Sequence, residues 1–349
     1  MKFPLSDWID EHAGCRHNLG ASGMRGSIRR PAPARGRQGR PEASALVDAV
    51  ARSVGVDASR VFLTHGATEA NAWVTFYLAR SHGAGARSCR VRFPEYPPLF
   101  DVAREAGLRL REDARPVDLA VVSQPRNPEG DVWPVESLIR WADGATHVLV
   151  DETFREFAGT RSLALASRPR LWTTGSFTKF YGADDVRVGY AIAPADEMAG
   201  FARFVGLVGD SIADRSVAGA LHLLGRSAEI HAQVDRLMAR NVAALRRAFP
   251  GAAGPVAPVF FDRILAETGD ALARRCLRAS VLVCPGTFFG DPGGVRLCLT
   301  RRSFPNDLGA YLRVRNGPSA AGASTGRRKT HRGRWAHGSG GRARRTRER

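Results

Sequence analysis

Between residues 60 and 193 short apolar runs alternate with stretches of helical length, and this alternation restricts the fold more than any other feature of the chain. Leu119-Ala120-Val121-Val122-Ser123 and His147-Val148-Leu149-Val150 are apolar on both faces of an extended backbone. Arg60 to Thr64, Cys89 to Phe93, Leu108 to Arg111, Leu171 to Thr174 and Val188 to Ala193 read as further strands. Helices are predicted from His65-Gly66-Ala67-Thr68 to about Ser81, from Pro97 to Ala106 and from Val135 to Ala142. Strands buried on both sides and separated by helices require an α/β fold with a mostly parallel sheet sandwiched between helices. In such sheets ligands bind just beyond the carboxyl ends of the strands. Asn127, Asp151 and Lys179 each follow a predicted strand.

The flanking regions are of other kinds. Residues 1–41 form a poorly periodic lead-in with a short helix from Leu5 to His12. Its Gly-punctuated stretch from Asn18 to Met24 is expected over the mouth of a site, which makes Asn18 a candidate for substrate contact. A helix is expected to open at Pro41, since proline is favoured in a first turn. Beyond the sheet, Ala195 to Val208 and Ile212 to Phe249 read as helical, the second broken near Gly225. Strands at Val256 to Phe261, Val281 to Pro285 and Val295 to Thr300, with helices over Asp270 to Ala279 and Pro305 to Val314, suggest a smaller α+β domain. The expected division is a large domain over 42–245, a small one over 246–315 and a tail over 316–349. A length of 349 residues accommodates both domains.

Charge and cysteines limit the partners. Ten Lys/Arg and one acid, Glu348, fall between Asn316 and Arg349, so the tail carries half of the net +18. That segment has almost nothing to bury and is expected to be disordered. A basic tail can hold nucleic acid by counterion release, or it can simply be solvated; solvation is the plainer reading, and no nucleic-acid partner is expected. Five scattered cysteines without a C-x-x-C pair argue for reduced thiols in the cytoplasm and against a zinc site. No apolar run has the length of a signal peptide's core or a membrane span.

The chemistry concentrates between Gly175 and Tyr190. Ser176 and Arg187 suit a phosphate, and Lys179 between them suits a Schiff base with an aldehyde. One cofactor, pyridoxal 5′-phosphate, carries both groups. Gly66-Ala67-Thr68, a turn opening a helix, offers a second anion-binding element. Asp184 and Asp185 precede Arg187 and either steer it or are solvated.

Gln124-Pro125-Arg126-Asn127-Pro128-Glu129-Gly130, then Val148-Leu149-Val150-Asp151-Glu152-Thr153-Phe154, then the lysine stretch, resemble the fold-type I enzymes of the class I/II aminotransferase family. The likeness extends over about residues 41–312 and is to the histidinol-phosphate aminotransferase-like branch, which includes threonine-phosphate decarboxylase. It implies that Lys179 forms the internal aldimine and moves the substrate proton. It implies that Asp151 pairs with the pyridine nitrogen, Asn127 bonds the phenolic oxygen and Tyr96 stacks on the ring. Gly66, Ala67, Thr68, Ser176 and Arg187 would hold the phosphate, and Arg296 would grip a carboxylate or phosphate of the substrate. Two positions depart from the family. Phe154 stands where a tyrosine usually bonds the phenolic oxygen, so the aldimine should stay protonated to higher pH. No tyrosine lies near Gln38 or Arg40, where the family supplies one to a partner's phosphate. The resemblance implies a cytoplasmic homodimer that transfers an amino group between a small amino acid or amino-phosphate and a 2-oxo acid. Decarboxylation on the same cofactor, or a non-catalytic descendant with a nucleic-acid-binding tail, are the alternatives.

Overall fold

The computed structural model describes residues 4–31, 43–81, 87–113, 115–251, 257–264 and 266–317. The arm with Gln38 and Arg40, the expected helix start at Pro41 and the tail beyond Gly317 lie outside the described residues.

The chain opens with helix α1 (Pro4–Glu11) and a two-residue strand β1 (His17–Asn18). Helix α2 (Ala43–Val54) leads to β2 (Val61–Thr64) and α3 (Ala67–Ser81). Strand β3 (Ser88–Arg90), α4 (Pro97–Glu105), β4 (Arg109–Arg111) and β5 (Val117–Ser123) follow. Next come α5 (Val135–Trp141), β6 (Ala145–Asp151), the short α6 (Arg155–Ala158), β7 (Leu171–Ser176) and β8 (Gly189–Ile192). Helices α7 (Met198–Val205), α8 (Asp214–Gly225) and α9 (Ser227–Ala248) carry the chain to β9 (Val259–Arg263). Helix α10 (Gly269–Arg278), β10 (Val281–Leu282), β11 (Cys284–Pro285), β12 (Gly294–Cys298) and α11 (Phe304–Arg315) complete it.

Among the described residues the largest sheet has seven strands in the order β2-β8-β7-β6-β5-β3-β4. All run parallel except β8, which is antiparallel to both neighbours. The continuous apolar runs explain the two-sided burial. Leu119 and Val121 of β5 pack in one core with Leu78, Phe100 and Trp172, while Ala120 and Val122 pack in another with Leu138, Val148 and Leu171. Adjacent residues of one strand thus serve opposite cores, as the two-residue period of a strand requires.

The register sets the site. Ser123 at the end of β5 lies opposite Asp151 at the end of β6, and Asp151 lies opposite Thr174 of β7. The carboxyl ends of three neighbouring strands are therefore level. A second sheet, β11-β12-β9, is antiparallel. Strand β1 pairs in parallel with β10, so the amino-terminal segment is stitched to a strand made late in the chain. All five cysteines are free thiols, four of them buried. Among the described residues no helix is long and apolar enough to cross a membrane.

Trp172 of β7 is fully buried and touches Tyr77 and Phe201, with ring centroids 5.8 Å and 5.1 Å away. Trp172→Ala is expected to lower the unfolding free energy by about 3–5 kcal/mol, read from urea denaturation of the two proteins.

Candidate active site

A pocket at the carboxyl ends of β5, β6 and β7 is lined by Gly66, Ala67, Thr68, Tyr96, Asn127, Asp151, Lys179, Arg187 and Arg296. These come from six separate stretches of chain, and the fold brings all nine to one cavity. Asp151 ends β6 with its carboxylate buried. Its Oδ1 accepts from the Thr153 amide at 2.9 Å, and its Oδ2 accepts from Asn71 Nδ2 at 2.8 Å. Burial raises the Asp151 pKa, while the bonds from Thr153 and Asn71 and the Lys179 charge pull it down. Thr174 Oγ1 donates to Asn71 Oδ1 at 2.7 Å, which fixes the amide so that its NH2 faces Asp151.

Lys179 lies in the turn after β7, half-buried, with its carbonyl accepting from the Met24 amide at 2.9 Å. Burial lowers its pKa; Asp184 opposes that, and the Arg296 and Arg187 charges reinforce it. The amine is thus biased toward its neutral, nucleophilic form.

The anion-binding end is built by close backbone packing. Gly66 has φ +94, and a Cβ on Gly189 would sit 2.4 Å from the Gly66 carbonyl carbon. Only glycine at 189 lets β8 press against the turn that starts α3. The first turn of a helix leaves its N–H groups without intrahelical partners. Arg187 is exposed to the pocket at φ +58, a conformation costly for a side chain of its size. Among the described residues no carboxylate pairs with it.

A buried relay fixes the other wall. Glu95 Oε1 accepts from Ser123 Oγ at 2.5 Å and from the Tyr96 amide at 2.6 Å, and its Oε2 accepts from the Ser123 amide at 3.0 Å. Ser123 Oγ in turn accepts from the Asn127 amide at 2.9 Å. Asn127 Oδ1 accepts from Arg296 Nη1 at 3.2 Å, which leaves the Asn127 amide NH2 free to donate. Arg296 Nη2 donates to the Gly20 carbonyl at 2.9 Å, and the guanidinium lies 4.9 Å from the Phe289 ring centroid. Burial raises the Tyr96 phenol pKa, and the Thr68 side chain draws it back down.

Two expected site residues sit elsewhere. Ser176 lies behind the pocket wall, its Oγ 2.9 Å from Thr178 Oγ1 and accepting from the Thr178 amide at 3.1 Å. Asn18 does not line the cavity. Its Oδ1 accepts from the Gly20 and Ala21 amides at 3.0 and 3.2 Å and shapes the loop that brings Ser22 to the pocket. Asn71, Glu95, Ser123 and Thr178 escaped the sequence reading, as did Leu5, Ser6 and Ile9 of α1, which line the opening. The spacing of Asn71 from Thr68, three residues along α3, is the one available signal; it puts both on one helix face. Phe154 lines the pocket and packs edge-on against Phe157 at 6.0 Å.

These residues fit pyridoxal 5′-phosphate on the chemistry of the donor set. An unpaired arginine and an open helix N-terminus suit the phosphate, a lysine whose burial loosens its hold on the proton suits the aldehyde, and a buried carboxylate suits a protonated ring nitrogen. Thr153 Oγ1 is buried in the same wall without a hydrogen-bond partner among the described residues.

A family model described as aminotransferase class I and II matches residues 34–303. Histidinol-phosphate aminotransferase 1 of Pseudomonas aeruginosa is 28% identical over 200 residues, which is 52% of this chain and 55% of that protein. Histidinol-phosphate aminotransferase 1 of Thiobacillus denitrificans is 27% identical over 260 residues, 68% of this chain and 63% of that protein. The chain thus matches little more than half the length of these relatives. A PLP-dependent aminotransferase from Streptococcus suis superposes with TM-score 0.74 at 18% identity, covering 91% of this chain and all of that one. Aspartate aminotransferase from Thermus thermophilus gives 0.72 at 19% identity over 90% and 97%. At those identities the superpositions establish the fold.

Burial pushes the Glu95 carboxyl up to about 7 from an ordinary 4.5. The folded chain therefore holds a proton that the unfolded chain releases near 4.5, and its stability falls as pH rises from about 4.5 to about 7. Glu95→Gln is expected to flatten that slope by up to about 3 kcal/mol across the window, measured as unfolding free energy against pH for both proteins.

Proposed function

The chain belongs to the class I and II aminotransferase family, and from that membership we propose that it is a pyridoxal 5′-phosphate-dependent aminotransferase. In this reading it moves an amino group between a small amino acid or amino-phosphate and a 2-oxo acid. The gathering of Lys179, Asp151 and Arg187 around one cavity carries the reading. The cofactor supplies an electron-withdrawing ring that weakens the bonds at the carbon bearing the amine.

The chain's residues do the rest. Lys179 would bond the cofactor's aldehyde, and its amine would serve as the base for the substrate Cα proton. Asp151, held by Asn71 and Thr153, would keep a proton on the ring nitrogen. Asn127 would offer its free NH2 to the ring oxygen, because Arg296 occupies its carbonyl. Tyr96 would cover the ring face, while Arg187, Thr68 and the first amides of α3 would hold the phosphate. Ser176 supports Thr178 from behind. Arg296 takes the substrate's anionic group. The same reading includes a homodimer, as the resemblance implies.

The absorbance spectrum of the protein mixed with pyridoxal phosphate, followed by assay with a panel of amines, tests this. Lys179→Ala is expected to lose the visible band and to lower keto-acid formation at least about 10³-fold. Undiminished turnover by that variant would sink the reading; release of carbon dioxide without keto acid would favour a decarboxylase. Phe154→Tyr restores a hydroxyl to the pocket wall. It is expected to move the pH titration of the visible band down by about one unit.

A further inference from the structure

Glu95 is wholly buried, does not line the pocket and has no part in the roles given above, yet its partners lead to the pocket from three directions. The Ser123 hydroxyl and the Tyr96 amide donate to its Oε1, and the Ser123 amide donates to its Oε2. Its own amide donates to the Phe289 carbonyl at 3.0 Å. Tyr96 and Ser123 line the cavity, and the Phe289 ring underlies the Arg296 guanidinium. The Arg126 guanidinium opposes the cost of burying this carboxyl group. An apolar side chain of similar size would pack there at less expense. The carboxylate is therefore explained by what it orients.

The direction of each bond carries the argument. Three converging donors suit a group that only accepts, which an ionised carboxylate does. Because the Ser123 hydroxyl gives its proton to Glu95, it is left with lone pairs for the Asn127 amide at 2.9 Å. That bond fixes the backbone from which the Asn127 side chain reaches Arg296 with its carbonyl and keeps its NH2 for the cavity. Glutamine at 95 would keep one accepting oxygen and bring an NH2 against the donors of Ser123. The serine hydroxyl would then be free to turn, and Asn127 would lose its anchor. Alanine at 123 cuts the same link at its middle and leaves the Tyr96 amide and Glu95 joined.

We infer that Glu95 is a positioning residue for the cofactor ring: through Ser123 it sets Asn127 toward the ring oxygen, and through the adjoining amide it sets Tyr96 against the ring face. The inference rests on the pyridoxal phosphate reading of the pocket. Absorbance titration of the full-length holoenzyme against pH measures the Asn127 contact, since a donor on the ring oxygen lowers the midpoint at which the visible band changes. Glu95→Gln and Ser123→Ala are each expected to raise that midpoint by at least about half a unit and to weaken pyridoxal phosphate about tenfold in an equilibrium titration. The double variant is expected to go little further than the larger single effect, because both changes break one link. Leu138→Ala, in the core on the other side of β5, controls for lost stability and is expected to leave the midpoint in place. Ser123→Ala serves alone should Glu95→Gln not fold. Variants that form the band with an unmoved midpoint overturn the inference and leave the pyridoxal phosphate reading standing. A shift that Leu138→Ala reproduces also overturns it. No visible band from the unaltered protein with pyridoxal phosphate removes both.

Discussion

A single buried carboxylate ties the architecture together. Asp151 sits at the end of a strand buried on both faces, where an unpartnered charge would be prohibitive. Asn71 reaches it from α3, and Thr174 on the neighbouring strand orients Asn71. One short chain of hydrogen bonds therefore links helix α3 to strands β6 and β7. The helix it fixes is the one whose open N-terminus faces the pocket. The strand it fixes is the one that leads to Lys179. Remove that link, and the two ends of the site lose their common reference.

The opposite wall follows a similar logic with different chemistry. Glu95 gathers Tyr96 and Ser123, Ser123 gathers Asn127, and Asn127 meets Arg296. A residue from the loop before α4 thus reaches, through three contacts, a strand of the second sheet. Ser123 and Asn127 are each tied to two neighbours of the relay, which leaves the Asn127 NH2 facing inward. A connected chain of buried polar groups of this kind specifies one arrangement more sharply than apolar packing does.

The sheet was readable from sequence because strands buried on both faces must be apolar throughout, and their ends must then be where polarity returns. That rule located Asn127, Asp151 and Lys179. The helix break expected near Gly225 likewise coincides with the junction of α8 and α9. Residues that act by holding others were not readable. Glu95 lies between two prolines with no periodic cue, and Asn71 resembles any polar residue of an exposed helix. Helix α1 was expected only as a short helix from Leu5 to His12 in a poorly periodic lead-in, and nothing local says that Leu5 and Ile9 look into a cavity near residue 296. Asn18 was placed in the right loop; its side chain folds back on its own backbone, a choice decided by the Gly20 and Ala21 amides.

The pairing of β1 with β10 bears on how the protein comes to exist. The Leu19 amide donates to the Leu282 carbonyl, the Cys298 amide to the Leu19 carbonyl, and the Thr300 hydroxyl to the Ala21 carbonyl. Residues 19–21 must therefore wait for residues 282–300 to be made before they find these partners. Contacts so distant in sequence are slow to close. A nascent chain can assemble its large sheet well before the loop around Gly20 is in place. A polypeptide cut short before β12 would keep much of its sheet yet possess neither Arg296 nor the strand that secures the loop.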